Sequence, residues 1–316
     1  MRSRTLSALV SSVLGVTALA GGYAVINCVR HDREHADITG SVRRSAAGSF
    51  VRLADGFTHY EIAGPENART VVLVHGFSVP YFLWDHTFDP LVKAGFRVLR
   101  YDLYGRGLSD RPRIGYDADL YDRQLSDLLD ALGIRAPVEI VGASMGGEIV
   151  VTFAARHPER VRTITLFDPT YVTGEPMPWE VRLPVVGEYI ACVAFVPSLP
   201  ARQRDDFVHP ERYPGYFAKY EEQMRYRGFQ RAILSTVRDF FSRDARPDFR
   251  RVGASGKPVL LVWGEQDQDA PFETSKAVIG DIPQAEFHAL EGEAHVAFYE
   301  SPEIVNPMVA RFLNRN

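Results

Sequence analysis

The stretch IVGASMGGEIV, residues 140–150, sets a single serine among small residues. A serine hydroxyl is a weak nucleophile. It attacks a carbonyl when a base takes its proton and fixed N–H donors receive the oxyanion that forms. A sharp turn from strand to helix lifts such a serine out of a sheet and crowds its flanks, so the residues two before and two after it must be small. Gly142 and Gly146 meet that demand around Ser144. The apolar run 138–141 reads as a strand and 146–156 as a helix, the context this turn requires. A lone G-x-S-x-G is common in Gly-Ser loops, so the reading depends on partners elsewhere in the chain.

Those partners are expected at other strand ends. His75-Gly76-Phe77 follows the buried-strand run TVVLV. The backbone N–H of Phe77 is the expected partner of the Met145 N–H in an oxyanion hole, and Gly76 lets the backbone approach the substrate. His75 precedes the serine and is expected to brace this loop by hydrogen bonding. Asp267, in WGEQD after the run PVLLV, is the candidate acid. Glu265 and Asp269 compete from the same loop, and Asp168, which ends the strand 161–167, is the runner-up acid. His295, in EAH before the last helix, is the candidate base. The chain order Ser144, Asp267, His295 is the one a strand–turn–helix nucleophile of this kind uses.

The elements that must position these residues form a β-α-β-α rhythm. Strands are predicted at 57–62, 70–75, 96–101, 138–141, 161–167, 258–262 and 285–289, and helices at 81–93, 118–132, 146–156, 274–279 and 296–313. The fold class is α/β, with a mostly parallel sheet covered by helices on both faces. The rhythm breaks after Asp168-Pro169. Residues 172–243 carry helical stretches at 178–194, 214–225 and 229–241, rich in aromatics, placed as a lid would be. The expected organisation is an N-terminal segment 1–29, a linker 30–49, core 50–171, helical cap 172–243 and core 244–316.

Residues 5–29 carry no charge between Arg4 and Arg30, long enough for a membrane anchor. A signal peptide cleaved after Ala18-Leu19-Ala20 is the alternative. Either places the rest of the chain at or beyond a membrane, and membrane association through 5–29 is expected. The polar stretch 30–48 is expected to detach this segment from the core. The net charge of −4 and scattered Lys and Arg give no footprint for nucleic acid. Gly105 and Gly107 lack the third glycine of a dinucleotide loop, so no cofactor is expected. The cysteines, Cys28 and Cys192, have no metal-ligand spacing, and no metal is expected. A bridge between them is disfavoured because Cys28 sits in the N-terminal segment.

Residues 50–316 resemble the α/β-hydrolase fold superfamily through HGF at 75–77, YDLYGRGLSD at 101–110, GASMGG at 142–147, FDP at 167–169, LVWGEQD at 261–267, EAH at 293–295 and YESPE at 299–303. The resemblance implies an eight-stranded sheet, a cap inserted after the sixth strand and a Ser144–His295–Asp267 triad. Within the superfamily the chain is similar to capped carboxylesterases and monoacylglycerol lipase-like enzymes, as are cap residues 228–240. That implies hydrolysis of a hydrophobic ester. The SMGG form also resembles meta-cleavage-product hydrolases, which cut C–C bonds, and cofactor-free haloperoxidase or perhydrolase activity is a further alternative. Ser144 in place of Asp at the elbow excludes the chemistry of epoxide hydrolases and haloalkane dehalogenases. A non-catalytic binder on this fold is disfavoured because every triad position is filled.

Overall fold

The computed structural model describes residues 21–171, 174 and 177–316. Eight strands form one sheet in the order β1-β2-β4-β3-β5-β6-β7-β8. They are β1 Ser49–Leu53, β2 Gly56–Ala63, β3 Thr70–Val74, β4 Arg97–Tyr101, β5 Val138–Ala143, β6 Val161–Phe167, β7 Val259–Gly264 and β8 Glu286–Leu290. β2 runs antiparallel to β1 and β4, and the remaining pairs are parallel. β3, β5 and β7 are buried along their whole length, because helices cover both faces. One face packs on helices Ala118–Ala131, Met145–Arg156, Arg246–Ala254 and Thr274–Asp281 through Leu125, Phe153, Phe249 and Val278. The other packs on Tyr81–Trp84, Asp85–Lys93 and Pro302–Arg315 through Trp84, Phe88 and Phe312. The expected α/β class is observed. β1 was not predicted; its five residues are too few, and too polar at Ser49 and Arg52, to show a period of two.

Between β6 and β7 the chain forms a helical layer. The predicted helix over 178–194 is interrupted at Pro184-Val185, where Val185 takes φ 69°. Beyond it Val186–Ile190, a π-helical stretch Ala191–Phe195 and Val196–Asp205 follow without a break. The last of these was not predicted, because Pro197 and Pro200 argue against a helix. Pro197 falls in the first turn, where its missing N–H costs nothing. Pro214–Gln223 and Phe229–Asp239 complete the layer.

The stretch expected as a detached linker lies along this layer instead. The Glu34 carboxylate accepts from the N–H groups of Gly228 (2.7 Å) and Gln230 (2.6 Å). It thereby caps helix Phe229–Asp239, whose own N-cap residue, Gly228, has no side chain to do so. Asp37 pairs with Arg227 and Arg33 with Glu221. Residues 21–31 are helical, and Cys28 is joined to Cys192 by a disulfide, correcting the expectation that the two stay apart. The helix is held against the cap, with Asn27 Nδ2 donating to the Tyr189 hydroxyl at 3.2 Å, which brings cysteines 164 residues apart into register. Residues 5–20 of the expected membrane segment lie outside the described residues. Among the described residues no helix is long and apolar enough to cross a membrane.

Candidate active site

Ser144 sits between β5 and helix Met145–Arg156 with φ 53° and ψ −125°. A non-glycine residue in that region is strained and is held there by its surroundings. Two glycines make the turn possible. A Cβ on Gly142 would stand 2.3 Å from the Gly146 carbonyl oxygen, and one on Gly146 would stand 2.3 Å from that of Val74. The Ser144 N–H donates to Phe167 O of β6, and its carbonyl accepts from Gly147 and Thr170. The side chain is thus fixed at the carboxyl end of the central strands, where open α/β sheets bind ligands.

His295 and Asp267 arrive from loops after β8 and β7. His295 Nδ1 lies 2.6 Å from Asp267 Oδ2, and both residues are buried. Asp267 Oδ1 accepts from the N–H groups of Asp269 (2.8 Å) and Ala270 (2.9 Å), so both carboxylate oxygens are engaged and its orientation is set. His295 Nε2 is left toward the cavity that Ser144 also lines, with Asp269 Oδ2 3.9 Å away. Burial alone would lower the His295 pKa. The Asp267, Asp206 and Asp168 carboxyls outweigh it and hold the value well above 6.5. Glu265, the other competitor for the acid, faces solvent.

Asp168 is also in this cluster. One ligating atom each from Asp168, Asp267 and His295 lie within 4.8 Å of one another. Asp168 has φ 43°, and its Oδ1 accepts from Gly264 N at 2.8 Å. It makes no hydrogen bond to His295, whose Nδ1 is taken by Asp267. Burial and the neighbouring Asp267 carboxyl push its pKa well above the ordinary carboxylate range. The structure therefore puts both candidate acids behind the histidine but gives the bond to Asp267.

The Gly76-Phe77 loop lies over the serine; a Cβ on Gly76 would be 3.3 Å from Ser144 Cβ. His75 braces it as expected. Its Nε2 accepts from Leu103 N and its Nδ1 donates to Gly76 O, each at 2.8 Å. Burial depresses its pKa to about 4, so the ring is neutral and this tautomer is the one the bonds require. Met145, with its N–H at the first position of the helix, is fully buried.

Sequence reasoning missed Arg106. It is fully buried and donates to Phe77 O (2.7 Å), Tyr121 OH (2.7 Å) and Thr236 Oγ1 (2.9 Å), tying the Gly76-Phe77 loop to helix Phe229–Asp239. Its one legible signal is its place in GRG, in the loop after β4. Also missed were Arg202, Gln203 and Asp206, which line the cavity from the end of the unpredicted helix. The cavity holds about 80 Å³ and is otherwise walled by Phe77, Leu83, Phe195, Leu199, Tyr216 and Phe298. Asp206 accepts from Gln203 Nε2 at 2.6 Å, and burial pushes its pKa up to about 7.

This chain belongs to the alpha/beta hydrolase family, whose model matches residues 71–307. It is 30% identical over 294 residues to the 2-hydroxy-6-oxononadienedioate/2-hydroxy-6-oxononatrienedioate hydrolase of Paraburkholderia xenovorans (strain LB400), covering 86% of this chain and 97% of that one. It is 26% identical over 280 residues to the non-heme chloroperoxidase of Streptomyces lividans, covering 83% and 98%. Among solved structures it is similar to the enol-lactonase from Burkholderia xenovorans LB400, with a TM-score of 0.73 at 25% identity, covering 84% of this chain and 99% of that one.

Proposed function

We propose that the chain is a serine hydrolase of carboxylic esters with a hydrophobic substrate. The carrying observation is Ser144, strained on its turn, sharing one cavity with a histidine whose Nδ1 is bonded to a buried aspartate. In this reading His295 Nε2 takes the Ser144 proton, and the oxygen attacks the ester carbonyl. The Phe77 and Met145 N–H groups receive the oxyanion. His295 then protonates the leaving alcohol and activates water for deacylation, while Asp267 stabilises the imidazolium. The enol-lactonase neighbour, whose name denotes a cyclic ester as substrate, supports this class of bond.

A second reading, C–C bond hydrolysis, is favoured by the Paraburkholderia relative. The substrate in that relative's name is a dioate, carrying two carboxylates. The cavity here sets one guanidinium, Arg202, against the carboxyls of Asp206 and Asp269, a poor match for a dianion, so the ester reading is preferred. The chloroperoxidase relative keeps perhydrolase chemistry as the remaining alternative. A panel of p-nitrophenyl esters of graded acyl length, run beside a vinylogous ring-fission dioate, separates the readings. The ester reading predicts turnover of the esters and little of the dioate; the reverse order contradicts it.

We further propose that the chain is exported or membrane-anchored through residues 5–29. The Cys28–Cys192 disulfide supports this, since such bonds persist in oxidising compartments. Intact mass of the chain from membrane and soluble fractions distinguishes an anchor from cleavage after Ala20.

A further inference from the structure

Among the described residues, all the large apolar side chains left exposed except Ile114 and Ile304 fall in two segments. Tyr23, Ile26 and Val29 stand out from helix 21–31, and Trp179, Leu183 and Val185 from the start of the cap. The Cys28–Cys192 disulfide and the Asn27–Tyr189 hydrogen bond join helix 21–31 to the helical run Val186–Phe195, which follows the second segment directly in the chain. Trp179 is 65% exposed and Val185 78%. Exposed apolar side chains grouped in this way mark contact sites.

Val185 adds an independent observation. It takes φ 69° and ψ −50°, and Val186 N donates to Pro184 O at 2.8 Å, closing a tight three-residue turn. That backbone is strained for any residue and most for a β-branched one. The strain presents to water a valine that is 78% exposed. Such an arrangement is offset only where the valine is covered.

From this we infer that the cap docks on a lipid bilayer through the surface formed by helix 21–31 and the turn 179–186. The choice of a bilayer over a protein rests on where the patch lies in the chain. Residues 5–20 of the uncharged run lead directly into helix 21–31, so a membrane holding them lies against the patch. Trp179 and Tyr23 are the residue types that settle at the headgroup level, and the exposed Arg30 and Arg182 beside them suit anionic headgroups. The turn leads on into the helical run Val186–Asp205, whose Phe195, Leu199 and Arg202 roof Ser144. Docking would therefore place the roof of the cavity at the lipid surface, where an apolar ester is concentrated. The inference rests on the anchoring proposed above and is independent of which bond is cut.

The tryptophans supply the test. Trp84 and Trp263 are fully buried, so Trp179 alone is open to a quencher outside the fold. The full chain is reconstituted with phosphatidylcholine vesicles, part of whose lipid is brominated near the head of the acyl chain, and both flotation and fluorescence are read. Docking predicts that the chain floats and that bromolipid quenches emission in the parent but not in Trp179→Phe. A chain that floats with unquenched Trp179 contradicts docking and leaves anchoring standing. A chain that stays with the soluble fraction contradicts both. A detergent-solubilised dimer that Val185→Ser and Leu183→Ser convert to monomer would assign the patch to a second copy and overturn the inference.

Discussion

His295 Nδ1 and Asp267 Oδ2 lie 2.6 Å apart in a buried setting where both Asp267 oxygens are engaged. The bond leaves Nε2 as the ring nitrogen toward the cavity that Ser144 also lines, and the one proposed to take its proton. Replacing Asp267 with Asn offers Nδ1 an N–H as readily as an oxygen and releases the tautomer. kcat on an activated ester is expected to fall by ~10⁴, with KM little changed. Asp168→Asn, which makes no bond to His295, is expected to cost far less, so a larger loss there than at Asp267 would exchange the two acids.

The carboxyls around His295 set a pH profile. The imidazole works as a base only when neutral, and its pKa is held above 6.5, so kcat/KM should rise with pH through that higher value. Asp206 is one of the groups holding it up. Asp206→Asn removes a negative charge and should move the rising limb to lower pH, giving the variant a relative gain near neutrality. A limb that does not move, or moves upward, counts against the assignment of that limb to His295.

Arg106 holds the carbonyl of Phe77, the residue whose N–H is proposed as an oxyanion donor. Truncation to Ala removes the buried guanidinium that donates to Phe77 O, Tyr121 OH and Thr236 Oγ1. We expect ~10²-fold lower kcat, the scale of losing one oxyanion donor, on all esters alike. Thermal unfolding should show a loss of roughly 3 kcal/mol. Unaltered kcat in a folded Arg106→Ala protein would detach this residue from the site.

A second buried His–Asp pair governs stability. His59 Nδ1 meets Asp102 Oδ2 at 2.7 Å and Nε2 meets Ala47 O at 2.8 Å, so both ring nitrogens face acceptors. Burial opposes the charged ring, but Asp102 outweighs it and raises the His59 pKa, while the Asp102 pKa is lowered. The stabilisation from His59 is complete below its unfolded pKa of about 6.5 and disappears as pH rises through the higher folded value. That from Asp102 is present above about 3.9 and disappears as pH falls through its depressed folded value. His59→Gln should therefore destabilise by roughly 3 kcal/mol at mildly acid pH, with the gap to the parent closing at alkaline pH. Chemical denaturation across that range reads both.

Much of this site was legible because each part leaves a local trace. Ser144 needs small neighbours and has Gly142 and Gly146; Asp267 follows the continuous apolar strand β7, and His295 sits between a strand and the last helix. β3 and β7 are mainly apolar and buried throughout, as covering on both faces requires, while β5 and β6 also carry Glu139, Arg162, Thr163 and Thr165. What was not legible is carried by distant contacts. Helix Val196–Asp205 forms despite two prolines, and with it Arg202, Gln203 and Asp206 reach the cavity. Arg106 gains its role from Thr236, 130 residues away. The stretch 30–48 is as polar as a free linker, and only the matching charges of Glu221 and Arg227 and the open helix end at Gly228 place it on the cap. Cys28 and Cys192 likewise meet only because the first helix lies on the same surface.

Ser144→Ala tests the central claim most directly. The account predicts that this variant folds as the parent does, loses p-nitrophenyl butyrate hydrolysis to the background rate, and no longer takes up a fluorophosphonate label. Hydrolysis at the parent rate by the folded variant would contradict it.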